Sequence, residues 1–431
     1  MSRRRFLRLG GAATVAAGGA AWLGLSGEDP PGAPPTTAGP ATTGEGSAAV
    51  RAAGAGELIL VTIQLEGGLD FLDTVVPRES ARYRDLRRES GVEESALHAI
   101  DADFSLHAMP HLADRWAAGE LAIVHGVGWA DSTLSHFEDT DVWEHGTVDP
   151  AATTGWLGRS LAHLGGSDGD PLLGVSLGRL SPSMRGPEWS AVAIPEEGAM
   201  PWTAEFVEEH PELVRGYADL TSGSSAAGSS LADQVRASQA LVQDVAGRVE
   251  GAAGSMAPGA DREDDLEELD EYGEGGLGRR LGLVARLIRG GLPTRAFHVP
   301  HGGDFDTHAR QAQLLPMHLG ELDSAIRRFQ SDLGEHRDRV VIATWTEFGR
   351  RPDWNGDGTE HGTAGTQFVV GPTVQGGHHG EPVSLRRFDR DDNFVVTADF
   401  RDYLAGLSEG VLGVPADAAL EGRRRPMGLV A

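Results

Sequence analysis

Short, almost wholly apolar runs rich in Val, Ile and Leu punctuate the chain, and between them apolar positions recur at helical spacing. Continuous apolar runs of this length suit strands buried on both faces, as in a parallel sheet. They fall at Leu58–Leu65, Leu121–His125, Leu172–Leu177, Ala296–Val299, Val340–Trp345 and Phe368–Val370. The helical spacing predicts helices over His111–Ala118, Leu231–Val249, Leu277–Ile288 and Leu315–Leu333. The alternation predicts an α/β fold with a mostly parallel central sheet covered by helices on both faces. Right-handed crossovers then bring the C-terminal ends of the strands to one edge, where such sheets bind ligands.

One such domain is expected over residues 57–415, with insertions near 178–211 and 255–275. The first contains Pro182, Pro187, Pro195 and Pro201. In the second, nine of the fourteen residues from Asp261 to Glu274 are acidic. That stretch lacks the ligand spacing and turn glycine of an EF-hand loop and reads as a solvated linker. Residues 416–431 read as a tail. At the other end, Ser2-Arg3-Arg4-Arg5-Phe6-Leu7-Arg8 and the Gly/Ala/Leu stretch after it look like a twin-arginine export signal over 1–30. A Pro/Thr/Ala/Gly tract over 31–56 follows, expected as disordered linker. The expected location is extracytoplasmic, the expected partner is the twin-arginine translocation machinery, and no stable membrane span is expected after cleavage.

Composition narrows the chemistry. The 431 residues include no Cys and no Lys, so all 37 basic residues are Arg. That removes cysteine nucleophiles, thiolate metal sites and disulfides, together with Schiff-base and P-loop lysine chemistry. A formal charge of −27 excludes nucleic acid as the expected partner, because phosphate contacts need clustered positive charge.

Candidate residues gather just past the strand ends. After the first strand, Glu66-Gly67-Gly68-Leu69-Asp70 would aim either Glu66 or Asp70 over the sheet edge; both stay candidate metal ligands. After the second, Ser135-His136-Phe137 stands where a helix should start. A helix N-terminus there would stabilise an alkoxide or an anion, with an ordinary Ser cap as the competing reading. The run Pro300-His301-Gly302-Gly303-Asp304-Phe305-Asp306-Thr307-His308 offers imidazole and carboxylate ligands in a flexible loop. Thr346-Glu347-Phe348-Gly349-Arg350 follows another strand, with Glu360-His361-Gly362-Thr363 close behind. Arg350 supplies a planar fork suited to a phosphate or sulfate, or to a structural ion pair. His378-His379 reads as exposed loop.

In their order along the chain, Ser-Arg-Arg-x-Phe-Leu, Gly67-Gly68-x-Asp70, Ser135-His136-Phe137, Thr154-Gly155-Trp156-Leu157-Gly158-Arg159, Phe305-Asp306-Thr307-His308, Thr346-Glu347-Phe348-Gly349-Arg350 and Glu360-His361-Gly362-Thr363 resemble the bacterial family called domain of unknown function 1501. That family is related to the alkaline phosphatase and sulfatase superfamily. The resemblance implies an alkaline-phosphatase-like sheet whose strand-end loops hold one or two divalent metals, zinc first, then manganese or magnesium. It implies Asp70, Asp306, His308, Glu347 and His361 as ligands, with Glu66 as the alternative on the first strand. It implies Ser135 as nucleophile, His136 beside it and Arg350 on the ester oxygens. The family usually has Asp at Glu360 and Ser at Thr346, and Asp304 is an extra residue before Phe305-Asp306. The implied activity is hydrolysis of phosphate or sulfate esters, on a small molecule or a polymer. The alternative is a catalytically silent secreted module for envelope polymers, its surface lined by Trp116, Trp129, Trp143, Trp156, Trp189 and Trp202.

Overall fold

The computed structural model of the protein describes residues 57–195 apart from 89, 91, 166–168 and 188, together with 231–253 and 276–431, with only the backbone of 231–239. The expected export signal, the linker after it, the acidic stretch, Trp202 and the end of the Pro-rich insertion lie outside the described residues. The chain divides into two compact units, residues 52–198 with 251–431, and residues 1–51 with 199–250. The described part of the second unit is the helix Leu231–Ala252 as far as Glu250. Everything below concerns the first.

Its strands are β1 (Ile59–Gln64), β2 (Val75–Pro77), β3 (Leu97–Ala99), β4 (Phe104–His107), β5 (Leu121–Gly128), β6 (Gly174–Leu177), β7 (Val192–Ile194), β8 (Ala296–Pro300), β9 (Val340–Trp345), β10 (Gly349–Trp354), β11 (Thr359–Gly362), β12 (Gly365–Val370), β13 (Gly377–His379) and β14 (Ala398–Asp399). One sheet runs β13-β5-β12-β9-β1-β8-β6-β7, with β14 also on β5. All six apolar runs of the sequence are strands of it. β1, β5, β9 and β12 are buried at every position, as continuous apolar runs require.

The sheet is mostly parallel, with one reversal. β1 pairs in parallel with β8 and β9, placing Thr62 opposite both His298 and Ala343. β12 runs antiparallel to β9 and to β5. The reason is local: from the end of β9 the chain makes the β10–β11 hairpin and returns at once, without the helical crossover a parallel strand needs. The start of β12 therefore shares an edge with the ends of β1, β5, β8 and β9.

Helices complete the layers. Those predicted from spacing are observed in this unit at Pro110–Ala117, Gly276–Arg289 and Gln311–Asp332, and the fourth is the helix Leu231–Ala252, which as far as Glu250 belongs to the other unit. Trp143 stacks on Trp345 with ring centroids 5.9 Å apart, in a core that also takes Trp156, Trp189, Phe400 and Tyr403. Three of the tryptophans expected on a polymer-binding surface are thus core residues, because large aromatic rings contribute most when buried. Residues 416–431 also join this core through Ala416, Ala419, Leu420 and Leu429. Among the described residues no helix is long and apolar enough to cross a membrane.

Candidate metal centre

The first loop is built by two glycines. Gly67 and Gly68 have φ of 111° and 82°, in the left-handed region that favours glycine. A Cβ on Gly67 would lie 2.3 Å from the Asp306 nitrogen, and one on Gly68 would lie 2.5 Å from the Phe348 ring. Glycine therefore lets the loop after β1 press against the loops after β8 and β9. Gly67 N–H donates to Glu347 Oε1 at 2.8 Å. The Arg350 guanidinium, fully buried, donates to the carbonyls of Gly67, Gly68, Phe305 and Thr359 and to Asp306 Oδ1. Arg350 is thereby spent on joining three loops, which removes it from the expected hold on an ester's oxygens.

Asp306 is the hub of what these loops present. The extra residue Asp304 is absorbed by an Asx turn, its Oδ1 accepting the Asp306 N–H at 2.9 Å. Three imidazoles surround Asp306. His361 Nε2 lies 3.0 Å and His308 Nε2 3.1 Å from Asp306 Oδ1, while His136 Nε2 lies 3.4 Å from Oδ2. Each ring has its other nitrogen on an oxygen. His361 Nδ1 lies 2.9 Å from the Leu134 carbonyl, His136 Nδ1 2.8 Å from Glu347 Oε1 and His308 Nδ1 2.9 Å from Glu360 Oε2.

A carbonyl can only accept, so His361 Nδ1 carries a proton and donates it. Glu347 and Glu360 draw the proton to Nδ1 of His136 and His308, while Asp306 draws it to Nε2. With the proton on Nδ1 alone, an Nε2 atom would be bare and face a carboxylate that is also an acceptor. His308 Nε2 and His361 Nε2 stand only 2.9 Å apart. Lone pairs so close repel unless a positive charge lies among them. That charge is either a proton on one ring or a metal ion.

The electrostatics match. Burial works to raise the Asp306 carboxyl, but Arg350 and His361 outweigh it and hold the group down at about 2. His136 is raised, mainly by its hydrogen bond to Glu347, and His361 is lowered by burial. The ligand atoms of His136, Asp306 and His361 all lie within 4.8 Å of one another. An oxygen and imidazole set of this kind, each ring oriented by an oxygen behind it, suits a divalent cation.

The other expected residues divide. Ser135 caps the helix His136–His145, yet its hydroxyl makes no capping bond. Glu347 lies behind His136 rather than beside His308, as an orienting carboxylate. Glu66 is exposed, and its carbonyl takes the Phe305 N–H at 2.8 Å. Asp70 is not in this group. It is fully buried, caps Leu72 and Asp73, and receives Arg87 at 3.0 Å, Gln311 at 2.8 Å and Thr359 at 3.0 Å. His378 bridges His125 and Asp101 at 2.7 and 2.8 Å, away from these ligands in the chain's sheet order.

Three contributors escaped the sequence. Leu134 offers a backbone carbonyl from a left-handed conformation, φ 60°, which no side-chain pattern signals. Asp139 holds that loop, accepting from Ser132 Oγ and from the Thr133 and Leu134 N–H groups. Glu360 was marked only as a departure from family usage; its place one residue before His361 was the available signal.

Among solved structures the chain is similar to the PsFucS1 sulfatase from Pseudoalteromonas sp., with 11% identity over 85% of this chain and 70% of that one and a TM-score of 0.39. It is also similar to Ps i-CgsB in complex with k-i-k-neocarrahexaose, with 11% identity over 86% of this chain and 75% of that one and a TM-score of 0.34. No curated protein matches the sequence. A family model described as "Protein of unknown function (DUF1501)" matches residues 134–400, a stretch that carries Ser135, all three imidazoles, Asp306, Glu347 and Arg350. The chain belongs to that family.

Proposed function

We propose that the protein is an exported, metal-dependent hydrolase of phosphate or sulfate esters on an alkaline-phosphatase-like fold. One observation carries the reading: three imidazoles, each with Nδ1 on an oxygen, turn their Nε2 atoms toward Asp306. A divalent cation there, zinc before manganese or magnesium for this donor set, would polarise an ester oxygen and offset developing charge.

The chain's own residues supply the rest. Glu347, Glu360 and the Leu134 carbonyl orient the rings, and Arg350 keeps Asp306 ionised. Ser135 stands at the N-terminus of the helix His136–His145 with its hydroxyl outside any cap, a position that favours an anion. In-line attack by Ser135 forms an Oγ–P or Oγ–S bond as the bond to the alcohol oxygen breaks, and the alcohol leaves with the serine proton. Water then releases phosphate or sulfate and restores the hydroxyl.

A second reading, a silent binding module, is favoured by the commitment of Arg350, which leaves the ester without that cationic clamp. Metal content of the purified protein, with turnover of aryl phosphate, phosphodiester and sulfate esters under zinc, manganese or magnesium, separates the two. Hydrolysis that needs metal and falls with Asp306→Ala and Ser135→Ala is expected. A bound, stabilising cation without turnover supports the module, and turnover that survives Ser135→Ala moves the attack to water. Arg3→Gln with Arg4→Gln should strand the protein in the cytoplasm if it is exported as proposed.

A further inference from the structure

We propose a second cation site, on the inner side of the same ligand loop, formed by His301 Nδ1, His318 Nδ1 and the Glu321 carboxylate. The loop from His301 to His308 has two faces. Its far end presents Asp306 and His308 to the outer centre, while His301, fully buried, points toward the helix Gln311–Asp332. His318 and Glu321 stand three residues apart on that helix and so share one of its faces. One ligand atom from each of the three residues lies within 4.8 Å of the other two.

Among the described residues, the hydrogen bonds leave His318 Nδ1 bare and give His301 Nδ1 a single backbone donor that a cation would have to displace. His301 Nε2 lies 3.3 Å from the His318 carbonyl, which can only accept, so the proton is on Nε2 and Nδ1 carries the lone pair. A backbone carbonyl behind a ligating imidazole is the usual way its tautomer is fixed. His301 Nδ1 accepts the Gly303 N–H at 3.0 Å, a bond that a cation would replace. His318 is 8% exposed, and its Nδ1 has no hydrogen-bond partner among the described residues.

Both nitrogens face one hollow. A Cβ on Gly303 would stand 2.5 Å from His318 Nδ1 and 2.8 Å from His301 Nδ1, so glycine keeps open the space between them. Glu321 is half-buried and takes the Leu277 N–H on Oε1 at 3.3 Å, which leaves Oε2 for the cation. Phe305 walls the site, its ring 5.0 Å from His301 and 5.3 Å from His318. Two imidazoles and a carboxylate around a fourth position for water form a zinc-type set, with bonds of about 2.0–2.2 Å after the side chains close in. Bound there, the ion ties the ligand loop to the helix behind it.

The test uses the full-length protein carrying Asp306→Ala and His361→Ala, which dismantles the outer centre. After chelation, Zn²⁺ titration should restore one equivalent and raise Tm by a few degrees at excess metal. Co²⁺ in its place should give the visible absorption of a low-coordinate nitrogen and oxygen site. Adding His318→Ala should remove the bound zinc, and Glu321→Gln, which preserves shape and the bond to Leu277, should weaken it at least tenfold. Should His318→Ala fail to fold, Glu321→Gln decides. No zinc in the background protein, or zinc indifferent to Glu321→Gln, overturns the site. Wild-type protein that binds a single zinc, lost with Asp306 and His361, overturns this site and leaves the proposed function standing; a single zinc lost only with His318 does the reverse.

Discussion

Two polar clusters lie along the edge where β1, β8 and β9 end, and they differ in what they leave unsatisfied. Around Asp70 everything is buried and paired: Arg87 bridges Asp70 and Asp73, and Gln311 and Thr359 close the remaining positions. Around Asp306, 29% exposed, several acceptors converge with few donors between them. The first is a finished network that locks the loop after β1 to β11 and to the helix Gln311–Asp332. The second pairs Asp306 with Arg350 and with imidazoles that stay partly open to solvent. Carboxylates and imidazoles at a sheet edge therefore do not define a site unless some stay open to a ligand.

The protonation states sharpen the contrast. Asp70 is lowered although burial opposes it, because Arg87 stands against it, while its neighbour Asp73, buried and facing Asp70, is pushed up to about 6. One guanidinium thus serves two carboxyls, and the one nearer its fork is the more acidic. The outer cluster has Arg350 in the matching role, but that side chain divides its donors between Asp306 and four carbonyls.

The largest expected effect breaks the finished network. Asp70→Ala leaves Arg87 buried without its closest carboxylate and should cost about 3–5 kcal/mol in urea unfolding. Zinc stoichiometry of the variant, measured where it remains folded, should not change. Loss of zinc without loss of stability would reverse the assignment of the two clusters.

Next comes Glu347→Gln, which keeps the shape behind His136 but no longer draws its proton to Nδ1. Zinc affinity should fall about 10–100-fold, or about 1.4–2.7 kcal/mol, by competition with a chelating dye. A third buried acid gives a smaller effect. Burial pushes Glu144 up to about 7, with Ser181 as its 2.8 Å hydrogen-bond partner. Its carboxyl stays protonated in the folded protein while the unfolded chain ionises, so the folded state binds more protons and stability falls as pH rises. Relative to Glu144→Gln, wild type should lose of order 1–2 kcal/mol between about pH 4.5 and pH 7, read by chemical denaturation at each pH. A flat difference would show that Glu144 is ionised when folded. Least affected should be Glu360→Gln, since that carboxylate is exposed. Only a few-fold change in zinc affinity is expected, and a larger one would place Glu360 among the ligands.

Much of this architecture was legible in the chain. The six apolar runs and four helical patterns were sufficient because a strand buried on both faces is mostly apolar, with polar exceptions such as Thr62, Gln64 and Gln367, and an amphipathic helix must repeat its apolar face. The reversal of β12 was not legible, since a buried antiparallel strand reads the same as a parallel one. Of the site, Asp306, His308, His361 and Ser135-His136 stood out as chemistry-bearing types past strand ends.

Local sequence determined the six apolar strands, the four patterned helices, the glycine turn at Gly67-Gly68 and the supply of imidazole and carboxylate groups, because each depends on neighbours a few residues away. Only tertiary structure decided what those groups do. Asp70 and Asp306 are the same residue type past the ends of adjacent strands. Arg87, Gln311 and Thr359, up to 289 positions distant, satisfy the first, while Arg350 and three imidazoles turned by Glu347, Glu360 and the Leu134 carbonyl surround the second. Whether a lone pair is spent or free depends on the donors that folding brings within hydrogen-bond reach, and spacing along the chain does not encode that.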